Sequence, residues 1–166
     1  TVDRKEVKLI EGLVNAGRIK PSSLKVAGNS IKIEDEMLLD AEIVNVAGLN
    51  ITYTGAQLSI DYDLRLWAEL IDLAQDQKLG NRISITHDKL CEKCEWPNNG
   101  SYKKVIIDSM RRLKQGSLRI KQRMLNASDE DGISLIGDYK TKSTGKKISR
   151  TTYTFWFSDL FLDFFV

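Results

Sequence analysis

The stretch RISITHDKLCEKCEWPNNGSYKKVIIDSMRRLKQGSLRI, residues 82–120, decides the predicted fold of this chain. Its first five residues alternate polar and apolar side chains, which predicts a short strand. Thr86 is then placed to cap a short helix over residues 87–94. That helix ends before Trp96-Pro97, because the residue before a proline disfavours helical backbone. A turn at residues 98–100 leads to a longer helix.

The longer helix is predicted over residues 102–115, with Ser101 as its N-cap and Gly116 as its stop. Four apolar side chains recur along it at helical spacing and form a buried stripe: Tyr102, Ile106, Met110 and Leu113. The rest of its surface carries five basic side chains: Lys103, Lys104, Arg111, Arg112 and Lys114. The strand predicted next, residues 117–125, alternates apolar residues with a basic face made of Arg119, Lys121 and Arg123.

The flanking sequence supplies the other predicted elements. Residues 2–16 have the apolar spacing of a helix, and residues 24–50 alternate loosely, like short strands. Residues 51–54 predict a strand, which is followed by an amphipathic helix with Ser59 as its N-cap. Downstream we predict a turn at 126–132, a returning strand at 133–140, a polar loop at 143–147, a strand at 151–157 and a final helical turn at 158–165.

This order of elements is that of an α+β winged helix, preceded here by an N-terminal helix and short strands. A winged helix is a helix-turn-helix in which a β-hairpin flanks the third helix, and the loop at the tip of that hairpin is called the wing. The last helix of a helix-turn-helix enters the major groove of DNA, while the helix before it crosses the backbone. It therefore needs one apolar face toward the core and one polar, usually basic, face toward the duplex. Residues 102–115 meet that requirement.

The net charge of +2 conceals an uneven distribution of charge along the chain. Residues 101–150 contain 13 basic and 5 acidic side chains, whereas residues 1–100 contain 12 basic and 16 acidic ones. Because the phosphates of a duplex attract clustered cations, the basic block predicts binding to double-stranded DNA. The predicted contacts are Ser101, Lys103, Lys104, Arg111, Arg112, Lys114, Arg119, Lys121, Arg123, Lys146 and Lys147.

Three other interpretations of the basic block stay open. Charged residues on a helix often form only a solvated surface. A winged helix can also serve as a transcriptional regulator, or as a protein-interaction or dimerisation domain that reads no bases. Salt-sensitive DNA binding would separate the DNA-binding interpretations from the others.

The sequence does not favour an enzyme or a metalloprotein. His87 shares one helical face with Cys91 and Cys94, but a closed zinc site needs a fourth ligand, and no thioredoxin-like pattern surrounds the cysteines. A single histidine argues against a two-histidine metal centre or a catalytic triad. Residues 143–147 lack the glycine spacing of a phosphate-binding loop. We therefore predict no catalytic residue, no metal and no cofactor.

The cellular location is predicted from what the sequence lacks. Two cysteines without a secretion signal fit a reducing compartment. No apolar run approaches the roughly 18 to 20 residues of a membrane span. We therefore expect a cytoplasmic protein with no membrane partner.

The chain also resembles a known family. Residues 51–75, ITYTGAQLSIDYDLRLWAELIDLAQ, are similar to the TrfA-type plasmid replication initiators, a group within the iteron-binding Rep family. The shared pattern is a YTG turn, a leucine, an acidic stretch and a helix with a central aromatic residue followed by leucine-rich turns. The resemblance continues more loosely through residues 82–120 and the closing TTYTFWFSDLFLDFF, so that it covers residues 51–166.

The resemblance implies a DNA-binding replication initiator. Such proteins bind direct repeats at a plasmid origin, open the adjacent DNA and help to load the host helicase. They consist of two winged helices, and dimers formed through the N-terminal one restrain replication while monomers start it. The implied partners are therefore origin repeats, a second copy of the chain in monomer–dimer exchange, and the helicase and initiator proteins of the host.

Within that family we expect two parts in this chain. Residues 1–50 are expected to form an N-terminal helix and a strand-like segment with a role in dimerisation. Residues 51–166 are expected to form one winged helix, with the second winged helix of the full protein missing. The principal base-reading helix would then lie in the missing domain, and the basic helix of this chain would mainly clamp phosphates.

Overall fold

Two antiparallel β-sheets and four α-helices share one hydrophobic core in the computed structural model, which describes residues 37–76, 82–125 and 127–165. The predicted helix over residues 2–16 and the strand-like residues 24–36 lie outside the described residues. None of the described helices is long and apolar enough to cross a membrane.

The observed elements confirm the predicted strand, helix, turn and helix of residues 82–115. The strands are β1 (Met37–Val46), β2 (Leu49–Ala56), β3 (Ile83–Thr86), β4 (Ser117–Met124), β5 (Ala127–Ser134), β6 (Tyr139–Ser143) and β7 (Thr151–Phe155). The α-helices are α1 (Arg65–Gln75), α2 (His87–Cys94), α3 (Gly100–Gln115) and α4 (Asp159–Phe165). A π-helical turn, Ile60–Leu64, precedes α1, and a 3₁₀ turn, Ile148–Arg150, precedes β7.

Strands β3, β7 and β6, in that spatial order, form the three-stranded sheet of a winged helix. β3 lies between α1 and α2 in the chain, and the β6–β7 hairpin follows α3. Tyr153 of β7 pairs with Ile85 on one side and with Thr141 on the other, which places β7 at the centre of the sheet. Residues 144–150, at the tip of the hairpin, are the wing. The predicted α+β winged helix is confirmed.

The second sheet contains β1, β2, β4 and β5, in that order, and all of its strand pairs are antiparallel. The β4–β5 hairpin is inserted between α3 and β6, so it is distinct from the wing. β2 begins at Leu49 and pairs with both β1 and β4. One continuous sheet therefore joins the described residues on either side of position 50.

The predicted turn at residues 126–132 and the returning strand at 133–140 are wrong. β5 already begins at Ala127 and ends at Ser134, and residues 135–138 connect it to β6. The polar run at residues 128–131 has little preference for a strand. It forms one here because β5 is the outer strand of the described sheet, where charged side chains remain in water.

The first helical segment begins with a reciprocal pair of hydrogen bonds. The backbone N–H of Asp63 donates to Ser59 Oγ at 3.1 Å, and the N–H of Ser59 donates to Asp63 Oδ2 at 2.9 Å. This arrangement confirms Ser59 as the N-cap. The turn that follows is π-helical, because the N–H of Leu64 donates to the carbonyl of Ser59 at 3.0 Å.

The N-cap of α3 is Asn99, so the prediction that Ser101 caps this helix is wrong. Asn99 Oδ1 accepts hydrogen bonds from the N–H groups of Ser101 and Tyr102 at 3.1 and 3.3 Å. Asparagine caps a helix at least as well as serine does, and Asn99 has the extended backbone that a cap requires. The helix therefore begins at Gly100, two residues before the predicted start.

The core lies between the helices and both sheets. Ile106, Met110 and Leu113 of the predicted stripe on α3 are fully buried. Trp67 of α1 is also fully buried, and its Nε1 donates to the carbonyl of Leu135 at 2.9 Å. That hydrogen bond ties α1 to the segment that leaves the four-stranded sheet.

α4 packs on this core through aromatic side chains. Phe161 is fully buried and stacks on Phe157 with 4.6 Å between the ring centroids. It also meets Trp67 edge to face at 6.0 Å. Aromatic pairs in these geometries stabilise a fold beyond the area that they bury. The closing aromatic segment therefore belongs to the core of the winged helix.

The YTG motif, residues 53–55, lies within β2 and serves as a packing motif. Tyr53 is buried, and its hydroxyl donates to the carbonyl of Ala56 at 2.5 Å. A Cβ atom at Gly55 would lie 2.7 Å from that hydroxyl oxygen, and one at Gly116 would lie 2.9 Å from the ring of Tyr53. Because neither glycine has a side chain, the tyrosine ring fits against the backbone at both positions.

Candidate nucleic-acid interface

The solvent face of α3 carries charges of both signs. Helical geometry places Lys104, Asp108 and Arg111 on this face, opposite the buried stripe. Arg111 Nη1 donates to Asp108 Oδ1 at 3.2 Å, and Lys114 Nζ lies 2.7 Å from Asp138 Oδ1. Exposed ion pairs of this kind add little stability, but each one offsets a positive charge. The surface of the second half of α3 therefore presents less net positive charge than its count of basic residues suggests.

The first turns of α3 adjoin the wing. Lys103 Nζ donates to Ser143 Oγ at 2.8 Å, and Ser143 Oγ lies 3.0 Å from Thr151 Oγ1. Ser143 ends β6 and Thr151 begins β7. The ammonium group of Lys103 is therefore positioned at the base of the wing.

The wing and the strand that leads into it add further cations. Lys142, Lys146, Lys147 and Arg150 are exposed. Among the described residues, Lys104, Lys146 and Lys147 form no ion pair with a carboxylate. The carboxylate of Asp108, one helical turn after Lys104, pairs with Arg111, so the charge of these three lysines remains available to phosphate groups.

Arg112 lies at the side of α3, in a structural ion pair. Its Nε and Nη2 donate to the two carboxylate oxygens of Asp63 at 2.9 and 2.8 Å. Asp63 is 1% exposed and also accepts a hydrogen bond from Ser109 Oγ at 2.5 Å. The side chain of Arg112 is itself only 20% exposed. The structure therefore gives this predicted DNA contact a role in holding α3 against the π-helical turn.

The basic face predicted for β4 lies on the four-stranded sheet, apart from the wing hairpin. Arg119 Nη2 lies 2.7 Å from Asp40 Oδ1, and Lys121 Nζ lies 3.8 Å from Glu130 Oε1. Arg123 is exposed near the end of the strand. Carboxylates on β1 and β5 thus offset most of the charge of this face.

Ser101 is exposed in the first turn of α3. The backbone N–H groups of Ser101 and Tyr102 are not open to a phosphate, because both donate to Asn99 Oδ1. The hydroxyl of Ser101 stays a predicted contact.

His87 is buried where α2 meets the turn before α3. Its Nε2 donates to the carbonyl of Asn99 at 3.1 Å, and its Nδ1 accepts from the Tyr153 hydroxyl at 2.6 Å. Burial lowers the pKa of His87, which favours the neutral ring that this pair of bonds requires. Burial also raises the pKa of the Cys91 thiol, and that of Cys94 to about 12, so neither has thiolate character. This cluster holds the α2–α3 turn in place.

Two residues that organise this surface were missed by sequence reasoning. The sequence gives no signal for the role of Asp63, because its partner Arg112 lies 49 residues away. Ser143 was assigned to a polar loop, and Lys103, to which it is bonded, lies 40 residues away. No local pattern signals contacts across such distances.

Comparisons with known proteins agree with the family resemblance. The family model described as TrfA protein matches residues 19–157. The plasmid replication initiator protein TrfA of Escherichia coli is 30% identical over 124 residues, which cover 72% of this chain and 31% of that protein. This chain therefore spans about a third of the length of that relative.

Two solved structures share the architecture. A crystal structure of a selenomethionine derivative of domains 2 and 3 of RctB has a TM-score of 0.56 and 14% identity, and the match covers 74% of this chain and 53% of that one. A second structure of RctB domains 2 and 3 has a TM-score of 0.54 and 15% identity, covering 77% and 51%. At these identities the similarity concerns the fold.

Proposed function

Because this chain belongs to the TrfA protein family, we propose that it is the part of a plasmid replication initiator that binds double-stranded origin DNA. The winged helix contacts the duplex through α3 and the wing. Binding of the origin repeats positions the initiator, and the whole protein then opens the adjacent DNA and helps to load the host helicase, together with host initiator proteins, in the cytoplasm.

The observation that carries this proposal is a group of cations on α3 and on the adjoining wing. We call it the α3–wing cluster, and it consists of Lys103, Lys104, Lys146 and Lys147. The hydrogen bond from Lys103 to Ser143 joins the helix to the base of the wing. The cations therefore lie on the two elements through which a winged helix contacts DNA. Each lysine that reaches a phosphate releases counterions and strengthens binding at low salt.

The proposed contact set is narrower than the one predicted from sequence. Arg112 is removed from the contact set, because its Nε and Nη2 both donate to the carboxylate of Asp63. Ser101 stays at the edge of the α3–wing cluster. The remaining predicted residues are retained as outer contacts, since most of them face carboxylates: Arg111, Lys114, Arg119, Lys121 and Arg123.

Replacing Lys146 and Lys147 with alanine should weaken binding to a mixed-sequence duplex roughly tenfold at moderate salt, equally for every sequence. The slope of log K against log salt should fall by about 2, because each phosphate contact contributes about 0.9. Fluorescence anisotropy with a labelled duplex at several salt concentrations measures both quantities.

A variant with Lys121 and Arg123 replaced by alanine removes the same charge from two outer contacts on the four-stranded sheet and serves as the comparison. We expect its affinity and salt slope to change much less. Equal losses in the two variants would show that net charge alone governs binding, and would contradict the role of the α3–wing cluster. Absence of binding by the unchanged chain at low salt would favour a protein-interaction domain.

We also propose that the chain self-associates through β1, in keeping with the dimerisation predicted for residues 1–50. β1 is the outer strand of the described four-stranded sheet, and Leu39 is 80% exposed on it, next to Met37 at 49%. An exposed apolar edge strand pairs readily with another chain. Monomer–dimer exchange would then leave the α3–wing cluster of each copy accessible.

Leu39→Lys should raise the dimer dissociation constant about tenfold or more, because lysine on an edge strand opposes pairing between chains. Sedimentation velocity over a range of protein concentrations measures the shift. Leu125→Lys is the matched control, since Leu125 is 100% exposed at the β4–β5 turn. An unchanged chain that stays monomeric throughout, or a Leu39→Lys chain that dimerises equally well, contradicts the proposal.

A further inference from the structure

A carboxylate lies in the middle of the face that α3 turns toward solvent. Asp108 follows Lys104 by four residues and precedes Arg111 by three, so the three side chains are neighbours on the helix surface. The side chain of Asp108 is 30% exposed and that of Arg111 is 55% exposed. A surface that only clamped phosphates would gain nothing from this charge, which repels the DNA backbone.

We infer that Asp108 is a specificity-determining residue of α3, which acts with Arg111 on G·C base pairs. This inference rests on the proposed function, because it needs α3 to face the duplex. It departs from the expectation that α3 mainly clamps phosphates.

The chemistry of the pair matches the edges of a G·C base pair. An arginine donates two hydrogen bonds to O6 and N7 of guanine, and an aspartate accepts one from the N4 amino group of cytosine. The hydrogen bond of 3.2 Å between Arg111 Nη1 and Asp108 Oδ1 restricts the guanidinium group to positions beside the carboxylate. The pair therefore presents donors and an acceptor side by side.

The negative charge also acts against other sequences. On a G·C pair the N7 and O6 acceptors stand side by side and the N4 donor follows, whereas on an A·T pair the N6 donor lies between the N7 and O4 acceptors. On an A·T pair Arg111 therefore has no two adjacent acceptors, and the carboxylate beside it faces the O4 acceptor of thymine; specificity often depends on such repulsion of the wrong partner. Removal of the carboxylate should therefore strengthen binding to A·T sequences.

The alternative role for this pair is a surface ion pair that only supports the helix. Such an exposed pair contributes little to stability, and its loss would not change which bases the protein prefers. Base preference is therefore the measurement that separates the two roles.

The experiment uses the whole chain and two labelled duplexes of equal length, one composed of G·C pairs and the other of A·T pairs. The unchanged chain should prefer the G·C duplex roughly tenfold, the discrimination of about one good base contact. Asp108→Ala should reduce this preference to near one, chiefly by tighter binding to the A·T duplex. Asp108→Asn should favour the A·T duplex, because asparagine pairs with adenine N6 and N7.

Asp129→Ala is the control for charge, since Asp129 is exposed on β5, and it should leave the preference unchanged. A preference that Asp108→Ala leaves intact, or an unchanged chain with no preference, overturns the inference. In both cases steep salt-dependent binding would still support the proposed function. Failure of the unchanged chain to bind either duplex at low salt would overturn both.

Discussion

Replacing Asp63 with alanine is expected to lower the free energy of unfolding by about 3–5 kcal/mol, the usual cost of removing one partner of a buried ion pair. The carboxylate is 1% exposed and accepts hydrogen bonds from Arg112, from Ser109 Oγ and from the N–H of Ser59. Its loss leaves the guanidinium group of Arg112 largely buried without this counter-charge and removes the cap of the first helical segment. Urea denaturation followed by circular dichroism measures the change.

Asp61→Ala is the control for this experiment, because Asp61 lies in the same turn but is exposed. We expect a loss well below that of Asp63→Ala. Arg112→Met in the Asp63→Ala background should recover part of the lost stability, since it removes a largely buried charge that has lost its carboxylate while keeping an apolar side chain. If Asp63→Ala unfolds at the same urea concentration as the unchanged chain, the carboxylate is not the anchor that the geometry indicates.

Met110→Asp is expected to prevent folding of the winged helix. Met110 is completely buried, with 0% of its surface exposed to solvent, and lies on the buried side of α3 between Ile106 and Leu113. Loss of its packing costs about 2–5 kcal/mol, and an unpaired buried carboxylate adds several more. Together these approach the roughly 5–15 kcal/mol that stabilise a typical domain.

Circular dichroism and a thermal melt test this expectation. Met110→Asp should show no cooperative transition, whereas Gln115→Asp, an exposed change on the same helix, should melt near the unchanged chain. Met110→Leu keeps the volume of the side chain and should cost less than about 1.5 kcal/mol. A cooperative melt of Met110→Asp close to that of the unchanged chain would mean that α3 is not packed through this side.

The caps and turns show how far local reasoning extends. Ser59 was identified correctly, because a cap and the acidic residue that completes it lie within one turn. α3 was given the wrong cap, since Asn99 and Ser101 are both good caps two residues apart and only the backbone conformation selects between them. The polar strand β5 was missed because its pairing with β4, and not its own composition, makes it a strand.

The sequence by itself determined the winged-helix order and the buried side of α3, because apolar periodicity and helix stops are read within a few turns of chain. Only the tertiary structure decided which cations of the basic block remain available to DNA. Arg119 is offset by Asp40, 79 residues away, and Arg112 by Asp63, 49 residues away. The charge that a surface presents depends on which distant carboxylates the fold brings to it, and no local pattern of residues records that.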